Sequence, residues 1–491
     1  MKVYKNNESF SLKGYWSLSF GKQMKEVAGI LSYSEEKIEL ELFDSFGEFA
    51  EEKVSNNKVR IEGVSINNTY ITLFDCHRKY QKNSNIVLVK YHVGSFCIGD
   101  IFVDSLEKSM FYNINLQTCN MKNWFSFKLL DVDDDETKFN ITFEKNKIAN
   151  KLKNFKLDSE GLVIKEAYTS VVRSNFGEEI KIDIDNHLNV LSNDALSVQD
   201  CNTIARKIIS IFTLLQGQYE NISFLEMYLI DEANKRLPIK KVRYYFTPLR
   251  KSQLIPIKYS NFRFFYNDIR ENMESILSLY FEKNELLNEI IQMYIGDIEK
   301  NPFIETKFLN NVRALEIYSR NLLPSVESSD DYGIEEAREQ LIKFLKDEYS
   351  ENNKIYSYFD NKINYKSETN LNSRISDILK LLPENIKQNL IKRENKSMNK
   401  SIKSFVSYIV QTRNYHTHGD VNKEKYSCLI TDNYDLFLMN KKLTLIVEYL
   451  LLTELGMDKE FVSSRLLDYS QYGYLFPPAT DNYQFVDPGN I

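Results

Sequence analysis

The spacing of apolar residues changes once along this 491-residue chain, near Asn301-Pro302. Before that point, short segments such as residues 37–42 and 59–64 alternate apolar and polar side chains, which is the two-residue period of a half-buried strand. After it, every strong period is helical. The sequence therefore predicts an α+β fold in which a β-rich region precedes an all-α region.

The β-rich region is predicted to cover residues 1–298. Its alternating pattern over about 1–150 favours a β-sandwich or a barrel-like lobe, and the mixed pattern over 151–298 favours a second sub-lobe. Ser197 or Asp200 is expected to cap a helix that ends near Gln216. The other expected elements are strands at 86–92, 110–115, 138–143, 171–184, 222–230 and 242–246, and a helix at 267–297.

The helical region is predicted to cover residues 299–491 and to form a bundle with a C-terminal tail. Five helices are expected, at 303–322, 335–349, 371–382, 400–416 and 436–455. The most apolar run, 443–452, contains Glu448 and follows Lys441 and Lys442, so we interpret it as a buried helix rather than a membrane span.

Composition excludes several classes of protein. The formal net charge of −6 leaves no global nucleic-acid signature. Five cysteines without a C-x-x-C pair argue against a disulfide framework and a zinc site, and the first residues contain no apolar signal core. The sparse cysteines and the missing signal core favour a cytoplasmic protein. The sequence also contains no glycine-rich phosphate loop, and we expect the protein to use no cofactor and no metal.

A local basic stretch is the exception to the acidic balance. Residues 371–420 contain nine Lys or Arg against four acidic residues, a local net charge of +5. Such a stretch indicates either an RNA-binding surface or an ordinary solvated helix face. The residues predicted to bind RNA are Lys392, Arg393, Lys396, Lys400 and Lys403.

The segment at 413–420, Arg-Asn-Tyr-His-Thr-His-Gly-Asp, contains two of the five histidines of the chain. Cleaving RNA without a metal requires a base, an acid and positive charge on the phosphate. Arginine stays charged and grips phosphate through two donors, whereas histidine exchanges protons near neutral pH. The segment therefore predicts an RNA-cleaving site.

The spacing within this segment sets a condition on the site. On an ideal helix, Arg413 and His418 are rotated by about 140° from each other. They converge within one chain only if the helix ends near residues 415–417, with Gly419 as its left-handed C-terminal residue. The alternative is that they meet across a dimer interface. Arg313, Glu316 and Arg320 fit either the lining of the same cleft or surface ion pairs.

Residues 412–420 resemble the R-N-x-x-x-H signature of the HEPN ribonuclease superfamily, with Arg413, Asn414 and His418 in the signature positions. Gly14-Tyr15-Trp16, together with residues 27–34 and 38–46, resembles the opening of the ApeA-type N-terminal domain. The resemblance implies a β-rich N-terminal sensor region followed by an all-α HEPN bundle.

The same resemblance implies an abortive-infection antiphage protein, triggered by a phage component, that cleaves host RNA without metal to 2′,3′-cyclic phosphate ends. tRNA is one candidate substrate, and a homodimer or a higher even oligomer is implied. Arg413 would supply phosphate charge, Asn414 positioning, and His418 proton transfer, with His416 as a rival. The alternative is a non-catalytic HEPN module that binds RNA or protein.

Overall fold

The computed structural model describes residues 4–19, 24–47, 58–82, 87–125, 131–135, 138–142, 152–175, 179–231, 234–248, 257–323, 334–349, 353–363, 370–419, 422–473 and 475. Contacts divide the chain into two compact units. The first unit is Met1–Asn284 with Ile298–Lys300 and Glu454–Met457, and the second is Glu285–Asp297, Asn301–Thr453 and Asp458–Ile491.

Strands occupy most of the described part of the first unit. They are β1 (Phe10–Ser17), β2 (Val27–Tyr33), β3 (Ile38–Leu42), β4 (Val59–Ser65), β5 (Tyr70–Lys82), β6 (Leu88–His92), β7 (Ser95–Gly99), β8 (Phe111–Thr118), β9 (Asp131–Asp135), β10 (Lys138–Thr142), β11 (Asn154–Leu157), β12 (Leu162–Asn175), β13 (Glu179–Leu196), β14 (Ile222–Asp231) and β15 (Asn234–Phe246).

Thirteen of these strands form one sheet, in the order β11-β12-β13-β8-β14-β15-β7-β5-β4-β1-β2-β3-β6. An additional pairing of β5 with β6 closes the last six strands into a barrel. Alternate residues of β3 are buried, as the sequence pattern predicts. Trp16 is fully buried inside the barrel, and a Cβ at Gly63 would lie 2.3 Å from its ring, so only glycine fits there.

The α-helices within the described residues are α1 (Met121–Trp124), α2 (Val198–Gln216), α3 (Tyr266–Ile269), α4 (Met273–Glu282), α5 (Asn284–Lys300), α6 (Ile304–Leu322), α7 (Ile334–Glu348), α8 (Asn353–Ile363), α9 (Leu371–Leu381), α10 (Glu384–Leu390), α11 (Met398–His418), α12 (Asn433–Glu454), α13 (Lys459–Asp468) and α14 (Ser470–Gly473). Ser197 and Asp200 both cap α2, in a capping box. The helix predicted at 267–297 is instead α3, α4 and α5, interrupted by a 3-10 turn at Arg270–Asn272.

The α+β prediction is confirmed, with a helical region after the β-rich one. The prediction of five helices in that region was wrong, because α8, α10 and α13 also form. In the second unit, α6, α9 and α11 pack against one another. Asn311 of α6 donates to Asn440 of α12 at 2.7 Å, so α6 contacts both α12 and α11, the helix that contains Arg413.

Candidate active site

The motif lies on the last turns of α11, which runs without interruption from Met398 to His418. Ser397 begins the helix by accepting a hydrogen bond from the Lys400 backbone. Gly419 ends it in the left-handed conformation, with a φ of 62°, and its N–H donates to the Tyr415 carbonyl. The expectation that Gly419 is the C-terminal left-handed residue is therefore confirmed.

The condition for convergence within one chain, a helix that ends near residues 415–417, is not met. A left-handed glycine ends a helix at the residue before it, so the helical hydrogen bonds continue to His418. Arg413 and His418 therefore lie on one regular helix, about 140° apart in rotation and about 7.5 Å apart along its axis. They do not share a face within one chain.

The two faces at this end of α11 have different surroundings. Arg413 is half-buried and lines a cleft with residues of α6. His416 is half-buried too, with its ring centroid 6.5 Å from that of the buried Phe308 of α6. His418 is exposed, and Asn414 is half-buried and accepts a hydrogen bond from Arg413 Nη1 at 3.1 Å. The structure thus brings Arg413 next to Asn414 but not next to His418.

Two side chains on α11 fix the following loop. The fully buried Thr412 accepts a hydrogen bond from the Ile430 backbone N–H at 3.0 Å. Gln411 accepts one from the Cys428 backbone N–H at 2.7 Å. These contacts join the last turns of α11 to the loop at residues 428–430. Sequence reasoning missed both contacts, since each joins the helix to a loop 17 or 18 residues further along the chain.

The cleft beside Arg413 has a volume of about 550 Å3. Arg313, Glu316 and Arg320 of α6 line it, as the sequence allows, and Arg320 is also paired with Glu316 at 2.8 Å. Sequence reasoning missed Glu289, whose carboxylate pairs with Arg313. The complete lining is Glu289, Leu309, Arg313, Glu316, Ile317, Arg320, Asn321, Arg413 and Thr417.

The five residues predicted to bind RNA are not part of the cleft lining. Lys400 and Lys403 are exposed on α11. Lys400 precedes His418 by five full turns, so an ideal helix places the two on one face. Lys396 is exposed as well. Lys400 and Lys403 therefore belong to a surface on the His418 side of α11, and this surface is separate from the cleft lining.

The remaining two predicted residues, Lys392 and Arg393, make local contacts. The Lys392 ammonium donates to the Lys396 carbonyl, and the Arg393 guanidinium lies over the Tyr408 ring at 5.0 Å. Burial is the main cause that lowers the pKa of Lys442 to about 8, and the nearby charge of Arg393 contributes to the same shift.

Two further observations on the described residues concern metal binding and membrane-spanning helices. They contain no group of three or more His, Cys, Asp or Glu side chains that could hold a metal ion. In that same part of the chain, no helix has both the length and the apolar character needed to cross a membrane.

A barrel-containing β-rich region is followed by a helical region, which is the arrangement that the resemblance to two-domain HEPN-type proteins implies. Comparison with family models agrees. The model described as ApeA N-terminal domain 1 matches residues 11–279, more than half of the chain, and the model described as Apea-like HEPN matches residues 309–461. The chain therefore belongs to the ApeA family, as its resemblance implied.

This pair of domains is that of an antiphage HEPN-type protein, and HEPN domains are typically ribonucleases. A search of curated proteins and a search of solved structures found no match.

Proposed function

We propose that this protein is an antiphage endoribonuclease of the abortive-infection type. A phage component engages the N-terminal domain, and the HEPN domain then cleaves host RNA, with tRNA as a candidate substrate. The observation that carries the proposal is the position of Arg413, a half-buried guanidinium at a cleft beside two further arginines, on the helix that also carries His418.

The chemistry needs no group beyond these side chains. The ribose 2′-hydroxyl gives its proton to an imidazole as its oxygen attacks phosphorus, the bond from phosphorus to the 5′-oxygen breaks, and the 5′-oxygen takes up a proton from an imidazole. Arg413 stabilises the charge that develops on the phosphate oxygens, and Asn414 orients the guanidinium through their hydrogen bond. His418, exposed at the helix end, transfers the proton. The products have 2′,3′-cyclic phosphate ends.

Two copies of the chain form the complete site in this proposal. Because Arg413 and His418 lie on different faces of a continuous helix, they reach one phosphate when each comes from a different chain. A twofold dimer provides this arrangement, since it presents the same helix end twice around one axis. A higher even oligomer repeats the same pair.

A purified-protein assay tests the assignment. With RNA and EDTA, the wild-type chain should produce 2′,3′-cyclic phosphate ends. Arg413→Ala and His418→Ala should each lose about 10²- to 10⁴-fold in rate. His416→Ala is the matched control, since it removes a histidine two residues away that packs near Phe308. A larger loss for His416→Ala than for His418→Ala would transfer the proton role to His416.

Cells provide the second arm, because the proposal includes activation by phage. RNA from infected cells that contain the wild-type chain should have new cyclic-phosphate ends, and these should be absent with Arg413→Ala. Cleavage that persists in both variants, in vitro and in cells, would remove Arg413 and His418 from the mechanism.

The separation of Arg413 from His418 on one helix favours a second candidate, a HEPN module that only binds RNA or protein. This candidate predicts RNA binding without cleavage products in every arm. It also predicts that phage defence survives both Arg413→Ala and His418→Ala.

A further inference from the structure

The cleft beside Arg413 contains more positive charge than one phosphate needs. Arg313 and Arg320 of α6 lie seven residues apart, which is two helical turns and about 10.5 Å along one face. Arg413 faces the same space from α11. Three guanidinium groups spread over two helices fit several phosphates of one strand better than a single phosphate group.

Each α6 arginine is paired with a carboxylate that also lines the cleft. Arg313 is paired with Glu289, and their side chains are 66% and 53% exposed. Arg320 Nη2 lies 2.8 Å from Glu316 Oε1, with side chains 48% and 22% exposed. The Arg313–Glu289 pair is exposed on both sides and therefore weak, so another anion can replace its carboxylate, and Arg320 is the more exposed member of the second pair.

We propose that Arg313 and Arg320 hold the phosphates that flank the scissile one, with Glu289 and Glu316 as built-in competitors that occupy both guanidinium groups until RNA displaces them. This inference rests on the proposed function and extends the site along the strand. The ligand class is the sugar-phosphate backbone of single-stranded RNA.

The charges of the cleft support competition rather than simple attraction. With its three arginines and two glutamates, the lining has a formal net charge of only +1. The phosphates of an entering RNA strand must therefore replace the carboxylates that are paired with Arg313 and Arg320. Removing one of these carboxylates should strengthen RNA binding. Arg313 and Arg320 are positioning residues in this account, since they act on phosphates beside the reacting one.

RNA binding can be measured without cleavage. The probe is a short fluorescein-labelled RNA with 2′-O-methyl sugars, which lacks the attacking hydroxyl, and anisotropy is recorded over a series of salt concentrations with the full chain. Arg313→Ala and Arg320→Ala should each weaken binding on the order of tenfold. Each should also reduce the slope of log K against log salt by about 0.7, the value for one phosphate contact on a single strand.

The carboxylate variants should act in the opposite direction. Glu289→Gln and Glu316→Gln should each tighten binding by about threefold, since the freed guanidinium no longer exchanges partners. Lys37→Ala is the matched control, because Lys37 is 61% exposed and paired with Glu39 in the first unit, outside both the cleft lining and the basic stretch at 371–420. It should leave the salt slope unchanged.

Two results would overturn the inference. One is an unchanged salt slope in both arginine variants, and the other is weaker binding in both glutamine variants. Either result, obtained while wild type still cleaves RNA and Arg413→Ala does not, would leave the proposed function intact. Conversely, slopes that change as expected in a protein without cleavage activity would refute the nuclease proposal and keep the phosphate contacts.

Discussion

Two ion pairs show that the two units use charge differently. In the first unit, the Glu166 side chain is 0% exposed and accepts hydrogen bonds from Tyr266 Oη at 2.5 Å, Arg270 Nε at 2.8 Å and the Lys153 backbone at 2.8 Å. In the second unit, Arg313 and Glu289 are both more than half exposed. An ion pair alone therefore does not show whether its residues are structural or bind a ligand. The burial of the pair decides whether one partner can be exchanged for a ligand.

The physical reason is the cost of removing charge from water. A buried carboxylate must keep all its donors, because leaving it unpaired costs several kcal/mol. An exposed arginine loses little when its carboxylate leaves, since water or phosphate replaces it. Glu166 and Arg270 are therefore part of the framework, whereas the exposed pair of Arg313 and Glu289 can exchange partners.

Breaking the buried pair should give the largest effect on stability. Glu166→Ala leaves Arg270 without its carboxylate and should lower the free energy of unfolding by about 3–5 kcal/mol. Both tryptophans of the chain, Trp16 and Trp124, lie in the first unit, so their fluorescence during urea denaturation follows this unit.

The exposed pair is the control for that experiment. Glu289→Ala should change the stability of the second unit by less than about 1 kcal/mol, as followed by the helical circular dichroism signal. Equal decreases in the free energy of unfolding for Glu166→Ala and Glu289→Ala would show that burial does not distinguish the two ion pairs.

A smaller effect, dependent on pH, should come from another buried carboxylate of the first unit. Burial raises the pKa of Glu220 from 4.5 to about 6, although the backbone N–H groups of Asn120 and Asn221 donate to it. Because the folded state binds this proton more tightly, the stabilising contribution is full below about pH 4.5 and is lost as pH rises through about 6. The difference is about 2 kcal/mol.

Glu220→Gln removes this titration. The stability of the variant relative to wild type should therefore improve by about 2 kcal/mol between about pH 4.5 and pH 7, as measured by tryptophan fluorescence in urea. The pH dependence that comes from other titrating groups is the same in both proteins and cancels in the difference. A difference that stays constant with pH would show that Glu220 does not titrate in this range.

Local signals explain which features could be predicted from the sequence. The alternation in β3, the capping residues of α2 and the left-handed Gly419 each depend on residues within a few positions. The short helix α10 was missed, since seven residues give little periodic signal.

The candidate site was only partly predictable. The motif names Arg413 and His418, but it cannot reveal that the helix remains continuous between them. Glu289 reaches Arg313 from 24 residues away, and Thr412 accepts from Ile430 across a loop. Such contacts depend on packing between elements, and no local pattern contains them.

The central claim is that Arg413 of one chain and His418 of a second chain act on the same phosphate. The most direct measurement co-expresses Arg413→Ala and His418→Ala chains with different tags, purifies the mixed assembly through both tags, and assays RNA cleavage. Mixed assemblies should regain cleavage that neither variant has alone. The reason is that Arg413 of the His418→Ala chain and His418 of the Arg413→Ala chain form one intact site between chains. Mixed assemblies that form and remain inactive would contradict it.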